Sequence, residues 1–183
     1  MQIYKLFSQN PTSTKKKILK FSNLSTGVIT GSSEKFFGLR IEPEQYREFL
    51  NGINKHLLKN RINQHIMTDY KFMEFIRQSS RLNFNLSDIT FYDQERYEND
   101  ELIKEIKAEL WKSDNELILD LLEEAVSNGY RVFSITGDFK NNLDQLKMIK
   151  IYANGTISIE NSVQEEEEYP IIDFLINGPE VFS

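Results

Sequence analysis

The apolar positions change period twice between Asp114 and Glu160, and each change marks an element. Ser113-Asp114-Asn115-Glu116 is an S/T-x-x-E box, in which hydroxyl and carboxylate reciprocally satisfy backbone N–H groups left bare at a helix start. Leu117, Ile118, Leu121, Leu122 and Ala125 then recur at helical spacing, and Asn128-Gly129 supplies a left-handed stop. The spacing predicts a helix over 114–128. Tyr130-Arg131-Val132-Phe133-Ser134-Ile135-Thr136 is rich in β-branched and aromatic residues and predicts a strand, with Gly137-Asp138 punctuating its end.

The next hairpin can be put in register from the sequence, because a one-residue slip moves every side chain to the other face. A two-residue Asn154-Gly155 turn would oppose Ile151 to Ser158 and mix apolar with polar residues on both faces. A three-residue loop, Ala153-Asn154-Gly155 with Gly155 left-handed, opposes Ile151 to Ile157 and Ile149 to Ile159. The second arrangement gives one face of isoleucines and leaves Lys150, Tyr152, Ser158 and Glu160 on the other, so it is the expected one.

Upstream, 2–7 and 15–21 read as strands around an Asn10-Pro11-Thr12-Ser13 turn, and 25–30 and 35–41 flank Gly31-Ser32-Ser33 as a further hairpin. Pro43 suits a first helical position, and Tyr46, Phe49, Leu50, Ile53 and Leu57 form an i, i+3, i+4, i+7, i+11 stripe that predicts a helix over 43–59. Thr68-Asp69 caps a helix through Phe72, Met73 and Ile76 to Ser80, and 86–92 alternates as a strand or an extended connection. Asn99-Asp100 opens another helix, with Leu102, Ile103, Ile106 and Leu110 on one side and an end at Trp111 or Lys112, which packs with its successor as a bent pair. Pro170 to Ile176, closed by Gly178-Pro179, reads as a short terminal helix or a last strand.

N-terminal antiparallel strands, central helices, then a helix with an antiparallel three-strand meander make an α+β fold. The chain reads as one domain over 1–183, with a sub-division into a β-rich 1–60 and a helical 61–183.

Composition narrows the function classes. With no cysteine there is no disulfide scaffold, thiolate zinc site or cysteine nucleophile, which fits a cytoplasmic protein. Met1-Gln2-Ile3-Tyr4-Lys5 has no secretory pattern, and no apolar run reaches the roughly 20 residues of a membrane span. Twenty Ile, 16 Asn and 15 Lys against 3 Ala mark an AT-rich genome, hence a low-GC bacterium or its mobile elements. The net charge of −6 disfavours nonspecific phosphate-backbone binding, although Lys15-Lys16-Lys17 near the start offsets Glu165-Glu166-Glu167-Glu168 near the end. The lysines read as a solvated strand edge and the glutamates as a hydrated connection, the sharper reading of Glu165, Glu166, Glu167 and Glu168 being a partner-binding acidic run.

Chemical motifs are sparse. His56 and His65, the only histidines, share no helix turn, and there is no G-x-S-x-G, G-x-G-x-x-G or G-x-x-x-x-G-K-[ST] loop. No metal ligand set and no cofactor are predicted. Asp138 with Asp144-Gln145-Leu146-Lys147 resembles a degenerate D…(D/E/Q)-x-K arrangement of metal-dependent nucleases, with Gln145 where that pattern has its second acid. Asp138, Asp144 and Lys147 are therefore the candidate catalytic residues, set against the plainer reading of Asp138 as a turn residue. Asp88, Asp93, Glu95, Glu98, Asp100 and Glu101 form a second acidic cluster, of which Asp100 and Glu101 suit a helix N-terminus. Lys35-Phe36-Phe37-Gly38-Leu39-Arg40-Ile41 is similar to the RNP1 pattern of RNA-recognition motifs but has Phe36 in place of its Gly. Phe37, Leu39 and Ile41 alternate onto a core face, leaving Phe36 and Arg40 as candidate binding residues.

The reading that follows is a non-enzymatic protein-binding or regulatory protein with a protein partner, in the setting of phage–host conflict. The alternative is a metal-dependent nuclease or single-stranded nucleic-acid binder. A homodimer through N-terminal sheet edges is a further expectation, and no membrane association is expected.

Overall fold

A computed structural model describes residues 1–9, 27–30, 36–60, 62–93, 100–112, 115–140, 145–160 and 170–177. The expected strand at 15–21, the turns at 10–13 and 31–33, Ser113-Asp114 of the helix-start box, Gly178-Pro179, Asp144 and Glu165-Glu166-Glu167-Glu168 lie outside the described residues. The chain divides into two compact units, Met1–Ile66 with Asn154–Ser183, and Met67–Ala153. Both are α+β, and every strand pairing within each is antiparallel.

In the first unit β1 (Gln2–Gln9) is central. One edge pairs with β3 (Phe36–Ile41), which in turn pairs with β2 (Gly27–Thr30). The other edge is shared end to end by β8 (Thr156–Ile159) and β4 (Ile62–Gln64). Residues opposite each other in a ladder share a face, so Phe7↔Phe37, Lys5↔Leu39 and Ile3↔Ile41 place Phe7, Phe37, Leu39 and Ile41 together. They form a core with Phe49, Ile53 and Leu57 of α1 (Tyr46–Asn60), the stripe that predicted this helix. Pro43 opens a 3-10 turn, Pro43–Gln45, that leads into α1. On the opposite face Leu6 and Gly38 meet Ile176 of α5 (Pro170–Asn177), so the C-terminal segment is a helix, not a strand.

The second unit carries β5 (Phe84–Phe91), β6 (Val132–Lys140) and β7 (Leu146–Tyr152) in that spatial order. Its helices are α2 (Asp69–Arg77), α3 (Glu101–Leu110) and α4 (Asn115–Ser127). Thr68 Oγ1 accepts from Lys71 N at 3.3 Å, and Asp100 Oδ1 accepts from Leu102 N at 2.9 Å, so both predicted caps form. Helices α3 and α4 pack on each other as expected. Phe75 of α2 meets Phe84 of β5 edge to face, with ring centroids 4.9 Å apart, and Ile89, Ile135, Phe139, Ile149 and Ile151 of the sheet are all buried.

Of the two alternatives for 86–92 the strand is the one formed, as β5 over Phe84–Phe91. One expectation changes. Gly137-Asp138 does not end β6, which runs on to Lys140. The glycine is there for a close approach: a Cβ on Gly137 would lie 2.3 Å from Asn85 O and 2.5 Å from Phe84 Cζ. Strand β4 is an element that the apolar pattern did not predict.

Strand β7 ends at Tyr152 and β8 begins at Thr156, so the connection is the three-residue Ala153-Asn154-Gly155 loop. Gly155 adopts φ +76°, as the bulged loop requires. Ile149, Ile151, Ile157 and Ile159 are all fully buried, while Glu160 is exposed. β8 and α5 group with the N-terminal strands, whereas β6 and β7 group with the central helices.

Candidate interaction surface on the β5-β6-β7 sheet

Two irregularities in the β5–β6 ladder decide what the outer face of this sheet presents. Leu86 pairs with Gly137 but Asp88 with Thr136, which leaves Ser87 as an extra residue. Thr90 pairs with Ser134 but Phe91 with Val132, which leaves Phe133 extra on the other strand. A bulge resets the alternation of side chains. Strict alternation would send Phe133 into the core beside Ile135; the bulge instead leaves Phe133 exposed while Ser134, Val132 and Phe91 are buried.

The bulge is pinned from outside the sheet. Asp69, at the start of α2, accepts from Val132 N at 2.8 Å with one carboxylate oxygen and from Arg131 Nη1 at 2.6 Å with the other. Phe133 O accepts from Ala153 N at 2.8 Å. Backbone on both sides of the extra residue is thereby fixed.

Three aromatic rings result, side by side on the open face. Phe133 (37% exposed) lies between Tyr92 (47% exposed) and Tyr152, with centroids 5.1 and 5.8 Å apart and both interplanar angles 77°. Lys150 Nζ sits 5.4 Å from the Tyr152 centroid. The register extends the face in rows: Thr90-Ser134-Tyr152, then Asp88-Thr136-Lys150, then Asn85-Asp138-Met148, then Lys140-Leu146. Met148 and Leu146 are 44% and 71% exposed. Between Thr90 and Tyr152 the Ser134 hydroxyl is buried with no hydrogen-bond partner among the described residues.

The residues singled out from sequence fall elsewhere or apart. Asp138 stands opposite Met148 and Lys147 opposite Phe139, so neighbouring ladder positions put Asp138 on the outer face and Lys147 on the core face. Of the D…(D/E/Q)-x-K arrangement, Asp138 and Lys147 thus stand on opposite faces of the sheet, and Asp144 lies outside the described residues. Among the described residues no three His, Asp or Glu side chains come together in a way that could hold an ion. Phe36 and Arg40 lie opposite Ser8 and Tyr4, on the face away from Phe37, Leu39 and Ile41 as expected. Phe36 is engaged edge to face with His65, centroids 5.3 Å apart, and His65 is buried. Asp100 is accounted for by its cap and by the Tyr130 hydroxyl, whose hydrogen bond holds the carboxyl below its ordinary range. Among the described residues no helix is long and apolar enough to cross a membrane.

The sequence carried one signal for the outer face, the Lys150/Tyr152 side of the predicted hairpin. Tyr92 and Phe133 were missed because a bulge and a cross-strand register bring them there. No protein-family model, no curated protein and no solved structure matches this chain.

Proposed function

We propose that this chain is a non-enzymatic protein-binding module that engages its partner through the outer face of the β5-β6-β7 sheet. The observation that carries this reading is the bulge that turns Phe133 out between Tyr92 and Tyr152, on a face that also exposes Met148 and Leu146 two and three rows further along. Aromatic residues and methionine are enriched at protein interfaces, and clustered aromatics are where binding energy concentrates. The surface favours a protein over unpaired bases. Bases need free ring faces, whereas these rings meet edge to face, Lys150 covers Tyr152, and Asp88 and Asp138 repel phosphates on the same surface.

Affinity purification of the tagged full chain from its host, with nuclease treatment, tests the reading when run beside Phe133→Asp. A protein recovered in stoichiometric amount with the wild type and depleted about 30-fold or more with Phe133→Asp is the expected result. The variant should keep the wild-type circular dichroism spectrum, because Phe133 is outside the core. Recovery that is indifferent to Phe133, or that nuclease abolishes, would defeat the proposal.

A further inference from the structure

The charges on the same face say what kind of protein it would receive. Asp88 and Asp138 project from adjacent strands in successive rows, both half-buried. Among the described residues Asp88 accepts only from the Thr90 hydroxyl, at 3.2 Å, and Asp138 stands between Asn85 and Met148 in its row, neither of which can neutralise it. Among the described residues neither carboxylate has an ion-pair partner. Lys150 is two strands from Asp88 in the same row and diagonal to Asp138, with its ammonium against the Tyr152 ring, and Lys140 follows Asp138 in the next row of β6; neither lysine forms an ion pair with Asp88 or Asp138.

A partner that covered the aromatic rows without bringing positive charge would strip water from two unpaired carboxylates and return nothing for it. The chain's net charge of −6 also favours encounter with a basic surface. Resting on the protein-binding reading above, we infer that the partner segment is cationic as well as apolar: an aliphatic or aromatic side chain seated among Tyr92, Phe133 and Tyr152, with a lysine or arginine beside it reaching Asp88 and Asp138. The rows set the spacing. Each row is about 7 Å from the next along the strands, so an extended segment would carry its basic residue roughly two to four positions from its apolar anchor.

Selection of a random peptide library of about 12 residues on the immobilised full chain, with counter-selection on Phe133→Asp, tests this directly. Enriched peptides should pair Lys or Arg with Leu, Phe, Tyr or Ile at that spacing. A selected peptide, synthesised, should bind the Asp88→Asn/Asp138→Asn double variant about fivefold more weakly or worse, and should lose part of its affinity in high salt. Neutral or acidic winners, or affinity unchanged in the double variant, would overturn the cationic-partner inference and leave protein binding standing. A library in which nothing distinguishes wild type from Phe133→Asp, or peptides displaced by an oligothymidylate, would overturn both.

Discussion

Lys5 lies in β1 between Ile3 and Phe7, opposite Leu39 and Thr156, and is 1% exposed. Its ammonium donates to the Asn154 carbonyl and to Thr156 Oγ1, and no carboxylate pairs with it among the described residues. Burial alone pushes its pKa down from 10.5 to about 8. Between those values the unfolded chain holds a proton that the folded chain has released, so Lys5 makes stability rise as pH climbs from about 8 toward 10.5, and below 8 the full cost of burying the charge remains. That cost is on the order of 3 kcal/mol. Lys5→Met removes it, and Thr156 Oγ1 still has the Tyr46 hydroxyl at 2.7 Å. In urea unfolding the variant should be more stable than wild type at pH 7 by about 1–2 kcal/mol, with the gap closing by pH 10. A gap that does not change with pH would show that Lys5 keeps in the folded chain the pKa it has in the unfolded one. Two glycines give an opposed pair of outcomes in the same unit. Gly52→Ala meets nothing within 4 Å and should stabilise α1 by about 0.5–1 kcal/mol. Gly155→Ala would place a Cβ 2.0 Å from His65 O at a positive φ, and should cost about 3 kcal/mol or more by the same assay.

At the level of elements, Asp69 joins the start of α2 to the start of β6. Asp69→Ala leaves the Val132 N–H buried without a partner and should cost about 1–3 kcal/mol, whereas Asp69→Asn keeps an acceptor and should cost less than half as much, the Arg131 end being solvent-exposed. Hydrogen exchange at Val132 reads the cause: faster in Ala, near wild type in Asn. Equal losses in the two variants would assign the effect to the ion pair. The elements also show what a single sequence can disclose. Pro43, Thr68, Asp100 and Gly155 act on backbone a few residues away, so helix starts and the three-residue loop were legible. Gly137 was misread as a strand end because its reason is the Phe84 ring on a neighbouring strand. Ile62, Asn63 and Gln64 are a strand only because β1 pairs with them. The candidate surface depends on Phe133 breaking the alternation that sequence reading relies on, so the very rule that placed Phe37 and Leu39 correctly hides it.

At the level of the whole chain, Met67–Ala153 is one continuous stretch, while the other unit is assembled from both ends of the sequence. The ends of the continuous unit meet: Met67 N donates to Ala153 O at 2.8 Å. A unit whose termini are adjacent can be excised without opening a long loop. It also has its own core, in which Phe72, Phe75, Ile76, Ile89, Ile106, Ile118, Leu122, Ala125, Ile135 and Phe139 are fully buried. Residues 67–153 expressed alone should therefore fold, with a single cooperative thermal transition followed by circular dichroism. Both partners of Asp69 lie inside this stretch, so Asp69→Ala should lower the midpoint of the fragment as well as that of the full chain. The outer-face residues Tyr92, Phe133, Tyr152, Asp88 and Asp138 lie inside it too, so the fragment should retain whatever protein the full chain captures through Phe133. A fragment that melts without cooperativity would mean that the core of 67–153 needs the rest of the chain. One that folds but loses the partner would move part of the binding surface to the other unit.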